Sequence, residues 1–180
     1  TGVPVFRSWA GTMRSNDAMV PQASGYIANH PGLKDARCVG NIGIQPDPDG
    51  QVRSVPLLSQ WQQATSPLLP LAMLQCGSNR PVDVSTLFSR LFSQPYWEVP
   101  FPRNWQAYTV VPAQDVLGHR VDPQWLRERW VLVGSSALGL SDRATTPLGE
   151  SVAGVMVHAA VLTALLEQVE NPPSARWESM

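Results

Sequence analysis

Charge is what this chain has least of. Only 15% of its 180 residues are Asp, Glu, Lys or Arg, where an ordinary domain carries about 25%. The net charge of −1 removes any general electrostatic reason to hold nucleic acid or to be drawn to an anionic membrane surface. Lysine is almost missing: Lys34 stands alone against twelve arginines, a bias that reflects genome composition rather than chemistry. No apolar run reaches the roughly 18 residues of a membrane span. Nor does the chain open on the basic, apolar and A-x-A pattern of a signal peptide. Residues Thr1 to Trp9 read instead as a cut into a longer protein, so missing targeting signals do not locate it.

Cysteine is equally scarce. Cys38 and Cys76 are the two present, at a spacing that matches no zinc or redox motif. Two small buried hydrophobes are the default reading; a disulfide is the alternative if the chain lives outside the cytosol. His30 and His119 lie singly beside turns, without metal-ligand spacing. Asp47, Asp49 and Gly50 resemble the opening of a calcium loop, but Leu58 stands where that loop needs an acid. Neither a Gly-Lys-Ser/Thr phosphate loop nor a G-x-G-x-x-G turn occurs. No metal, no cofactor and no nucleic-acid partner is therefore expected.

What is plentiful is apolar surface, at 43% of residues, with seven Trp and seventeen Pro. The length suits a single domain over residues 1–180 with a real core, and the Pro and Trp counts point to long packed loops. Cys38–Ile44 and Gln51–Leu58 read as two strands of a β-hairpin around Asp47-Pro48-Asp49-Gly50. In that turn Asp caps, Pro fixes φ and Gly supplies φ > 0. Residues 3–6 suggest a short strand and Gly25–His30 a helical turn. Ser66-Pro67 opens a helix that stops at Gly77, with Pro70 either starting it or distorting its first turn. Asp83–Phe92 suits a short helix. Ala107–Val111 reads as a strand, Pro112–Leu117 as a helical turn, and Asp122-Pro123 as the cap of a short helix. Trp130–Val133, four apolar residues without alternation, reads as a buried strand. A last helix from near Ser151 to Glu170 carries the stripe Val155, Ala159, Leu162, Leu166 and Val169. The fold class is thus α/β: a mostly parallel sheet flanked by helices, with the hairpin near residues 38–58.

Candidate chemistry gathers between Gly134 and Gly149. A connection of this length is usually functional or disordered, since the median is about 4–6 residues. It holds Ser135, Ser136, Asp142, Arg143 and Thr146, an acceptor beside a five-donor fork that suits a small polar ligand or locks the loop to the sheet. His158 lies on or beside the buried face of the last helix, as a satisfied core histidine or as a ligand contact. A Ser135–Asp142–His158 triad is disfavoured. Gly134-Ser135-Ser136-Ala137-Leu138 is not G-x-S-x-G, and the three residues lie close together in the chain. No catalytic residue is assigned.

Two segments carry a family resemblance. One is Val39-Gly40-Asn41-Ile42-Gly43-Ile44 followed by Pro46 to Leu58. The other is Val131-Leu132-Val133-Gly134-Ser135-Ser136-Ala137, then Asp142-Arg143, Thr146-Pro147-Leu148-Gly149, Gly154-Val155 and His158-Ala159. In order and spacing they resemble the sensory domain of the CHASE type 2 family (cyclases and histidine kinases associated sensory extracellular domain), over about residues 38 to 168. Pro67 with Leu69, Leu71, Ala72 and Met73 resembles that family's Pro-led helix. The resemblance implies an extracytoplasmic, periplasmic ligand-sensing module of a membrane-anchored bacterial receptor. Its output would be an adenylate cyclase, a histidine kinase of a two-component system, or a protein kinase. It implies no defined ligand and no enzyme activity in this segment. Family members begin with further strands and helices, so the chain is expected to be the C-terminal portion of a larger domain. Pro70 and the stretch Ser78–Trp105 depart from the pattern. Candidate ligand contacts are Ser135, Ser136, Asp142, Arg143, Thr146 and His158, with an unknown small molecule as partner and room for a homodimer. A serine hydrolase and a dimerisation scaffold that binds no small molecule are the alternatives.

Overall fold

The computed structural model describes residues 3–5, 20–27, 36, 38–77, 95–135 and 143–170. They form a mixed α/β arrangement of small antiparallel sheets and helices. Strand β1 (Val3–Val5) pairs with β2 (Gly25–Ile27), so the helical turn expected at Gly25 is a strand. Strand β3 (Ser54–Val55) pairs with β6 (Trp97–Glu98). Strands β4 (Leu58–Trp61) and β5 (Ala64–Pro67) form a true hairpin around Gln62 and Gln63. Helix α1 (Leu69–Gly77) follows, and Pro70 sits in its first turn, where its missing N–H costs nothing. Beyond come a 3₁₀ turn at Trp105–Ala107, helix α2 (Ala113–Leu117) and a second 3₁₀ turn at Pro123–Trp125. Strands β7 (Arg143–Thr145) and β8 (Ser151–Ala153) pair before helix α3 (Gly154–Glu170). The segment expected as a helix at 83–92 lies outside the described residues.

Every ladder between named strands is antiparallel. Parallel geometry appears only at isolated bridges among the described residues: Gln22–Gln60, Asn41–Leu68 and Gln51–Thr145. The hairpin expected over 38–58 is confined to its turn. Gly50, at φ +82°, donates to the Asp47 carbonyl, and Asp47 donates to Gln51. The flanking residues then find other partners. Asn41 exchanges backbone bonds with Pro67 and Leu69, while Val52 donates to Thr145. Trp130–Val133 and Ala107–Val111 join no ladder among the described residues, and Val133 is 90% exposed. Their apolar character signals strands only where a partner lies alongside.

The core is one cluster that includes Val52, Val55, Leu57, Leu68, Leu71, Leu74, Val99, Val157, Val161 and Leu165. It joins α1 to α3 over the strands. The buried side of α3 centres on Gly154, Val157, Val161, Ala164 and Leu165. The stripe expected at Val155, Ala159, Leu162, Leu166 and Val169 lies beside that face: Leu162 alone of the five is fully inside, and Leu166 and Val169 pack half-buried against the core. Apolar residues surround most of the helix, so periodicity alone gave the wrong phase. Cys38 and Cys76 are joined as a disulfide, with Cα atoms 6.4 Å apart. The default reading of two buried hydrophobes is overturned: both residues are exposed.

Candidate functional site

The two motif-bearing segments of the chain meet at one point. Val52 donates its backbone N–H to the Thr145 carbonyl at 2.8 Å, as part of the parallel Gln51–Thr145 bridge. The Asp47–Gly50 turn therefore stands beside the end of β7. Arg53 ties this turn from within. Its guanidinium donates to Asp47 Oδ2 at 2.8 Å, to both Asp49 oxygens at 3.0 and 2.6 Å, and to Gln51 Oε1 at 3.0 Å. These bonds, with a backbone bond from Gln51, pull the Asp49 carboxyl down from its ordinary 3.8 to about 2. The same contacts push Arg53 upward. Three charges so engaged make a solvated structural knot rather than a cation site.

Arg143 opens β7. Its Nε donates to Ser151 Oγ at 2.9 Å and its Nη2 to the Ser151 carbonyl. The fork thus closes over the β7–β8 pair, in which Thr145 faces Ser151. Ser151 could not be singled out from sequence, since it stands eight positions beyond Arg143 and the two become neighbours only once the hairpin forms. Glu150 is a second such residue: it accepts from Trp105 Nε1 at 2.5 Å. Trp105 in turn lies 6.2 Å from Phe101 and 6.1 Å from Tyr108, ring centre to ring centre. Tyr108 reaches Thr163 on α3 at 3.2 Å.

Thr146 follows β7 and is fully buried. Its N–H donates to Glu150 and its carbonyl accepts from Gly149, the turn that φ +79° at Gly149 permits. The Thr146 hydroxyl has no hydrogen-bond partner among the described residues. His158 is also buried, on α3 one turn beyond Gly154. Ser135 is exposed and follows Gly134, whose Cα is pressed against Val155: a Cβ on Gly134 would lie 2.5 Å from Val155 Cβ. Ser135 therefore sits near the start of α3. Ser136 and Asp142 lie outside the described residues. Among the described residues no cluster of three His, Cys, Asp or Glu could hold a metal, and no helix is long and apolar enough to cross a membrane.

An open surface concavity of about 240 Å³ is lined by the Cys38–Cys76 disulfide, Leu69, Ala72, Met73, Gly77 and Trp130.

The family model described as CHASE2 domain matches residues 7–180 of the chain. No curated protein and no solved structure matches it. The match spans nearly the whole chain, which therefore belongs to the CHASE2 family, a family of extracytoplasmic sensory domains that are not catalytic.

Proposed function

We propose, from membership of this sensory family, that the chain is the extracytoplasmic, periplasmic sensing part of a membrane-anchored bacterial receptor. It forms one sensor unit, the C-terminal portion of a larger domain, in which a mostly parallel sheet is completed by partners for Ala107–Val111 and Trp130–Val133. The receptor's output is a cyclase, a histidine kinase or a protein kinase. The ligand is a small polar molecule taken by Ser135, Ser136, Asp142, Arg143, Thr146 and His158. The observation that carries this is Thr146. A buried hydroxyl without a protein partner costs about 1–3 kcal/mol, and a ligand or an ordered water would recover it. Thr146 follows β7, at the strand end where the two family segments meet.

Signalling then works as a population shift. A ligand that the candidate residues hold more tightly in one arrangement than in another biases α3, the helix that carries His158 and that Pro172-Pro173 follow in the sequence. Such a unit binds or transmits and turns nothing over. Two copies side by side give the output domains a dimer to act on.

The test uses the intact polypeptide in inner-membrane vesicles and in spheroplasts. External protease should cut within residues 135–146 in spheroplasts but not in inverted vesicles. Output activity should change when Arg143→Ala or Thr146→Val is introduced. Cleavage from the cytoplasmic side alone, or output indifferent to both substitutions, refutes the proposal.

A further inference from the structure

Both cysteines of the chain are spent on one disulfide, and it lies on the surface. Cys38 and Cys76 are each exposed, and together they form part of the wall of the 240 Å³ cavity. That space equals roughly eight waters at about 30 Å³ each, enough for an incoming thiol side chain. Exposed disulfides are the labile and regulatory class, whereas buried ones act as inert staples.

The surroundings connect this bond to the sensory elements. Cys76 lies in the last turn of α1. The next residue, Gly77, is covered by the Trp130 ring, and a Cβ there would run into two of the ring carbons. Trp130 begins the segment that ends at Gly134, and Gly134 presses on Val155 in the first turn of α3. Residues 130–135 make no backbone hydrogen bond to any described residue. Among the described residues the segment touches the Trp130-covered end of α1 through Gly77 and the start of α3 through Gly134, so it links the two.

Taking the sensory reading as given, we propose that the Cys38–Cys76 disulfide is a thiol–disulfide switch. Its state sets the position of Trp130, of the 130–134 segment and so of the start of α3. The signal it takes is a dithiol, such as the active-site pair of a dithiol oxidoreductase. A partner thiolate attacks one cysteine sulfur; the Cys38–Cys76 bond breaks, a mixed disulfide forms, and the released cysteine takes a proton. The partner's second thiolate then breaks the mixed disulfide. Cys38 and Cys76 become two thiols and the partner becomes a disulfide, with two electrons and two protons passed to the sensor.

Methyl NMR of the intact polypeptide, with dithiothreitol as the reductant, tests this. Reduction should shift the methyl signals of Val131, Val133 and Val155, leave those of Val52 and Leu57 in place, and reverse with oxidised glutathione. The Cys38→Ser/Cys76→Ser variant should show the reduced positions at every reductant level. Trp130→Phe, which keeps the fold but trims the link, should weaken the shift at Val155. Shifts confined to Leu69, Ala72 and Met73 around the sulfurs would overturn the switch and leave a staple. Collapse of all methyl signals on reduction would overturn it as well. Output measured on the same samples separates the two ideas. A response to Arg143→Ala but none to dithiothreitol removes the switch and keeps the ligand site. A response to neither removes both.

Discussion

Gly40 shows how tightly single residues are held in this chain. A Cβ at Gly40 would lie 2.6 Å from the Leu69 Cα and 2.9 Å from Ala72 Cβ. The first of these is backbone at the start of α1 and cannot swing aside. Gly40→Ala should therefore push the 38–44 segment off α1, and lower stability by about 1–3 kcal/mol in denaturant titration. Asp49 gives a test by pH. Its carboxyl is held at about 2 against an ordinary 3.8, chiefly by Arg53. A folded pKa below the unfolded one adds stability that is fully present above pH 3.8 and is lost as the pH falls towards 2. The pair is exposed, so the contribution is small. Carboxyl-carbon NMR should place the Asp49 midpoint near 2, and Arg53→Ala should return it towards the ordinary range. An unmoved midpoint in that variant would show that the turn backbone, not Arg53, sets it.

Between elements, the contact that matters most is α1 against α3. Leu71 and Leu74 on one helix and Val161 and Leu165 on the other are buried to within about one per cent of their surface. Leu165→Ala should cost about 2–5 kcal/mol by denaturant titration, while an alanine at exposed Glu167 should cost next to nothing. How much of this was legible follows from what local sequence encodes. The Asp-Pro-Asp-Gly turn and the Asp122-Pro123 cap are both decided within four residues, and each appears where sequence put it. Asp122 even accepts from Gln124 N–H, as a cap should. Pairing is a different matter. Residues 51–55 have the composition of a strand, but nothing local tells them to join Thr145 and Trp97 instead of the segment across the turn. The same limit applies to the site. Arg143 was visible as a donor fork, but its acceptor Ser151 was not. Cys38 and Cys76 are 38 residues apart, a spacing that carries no information about contact until α1 folds back over the 38–44 segment.

The molecule as a whole is held by one covalent link, and the exposed apolar side chains of the described residues gather mainly in one stretch. Closing a 38-residue separation stabilises by about 4 kcal/mol in the chain-entropy account. Cys38→Ser/Cys76→Ser should lower the unfolding free energy by that order without abolishing the cooperative transition, and an unchanged midpoint would refute it. Of the eleven large apolar side chains exposed among the described residues, seven lie between Val110 and Val133. Leu117 is 81% and Val133 90% exposed, and the backbone of 130–135 is unpaired within the described residues. Extended apolar surface of this kind favours association with another chain. The isolated 180-residue chain should therefore sediment with a mass that rises with concentration. Val133→Lys, which places a charge on that surface, together with Leu117→Ser should shift it towards a single copy and raise its solubility. Neither side chain touches the buried core cluster, so the variant should keep the helical signal of the parent. A wild-type chain that stays monomeric at every concentration would mean that these side chains are covered from within the same polypeptide.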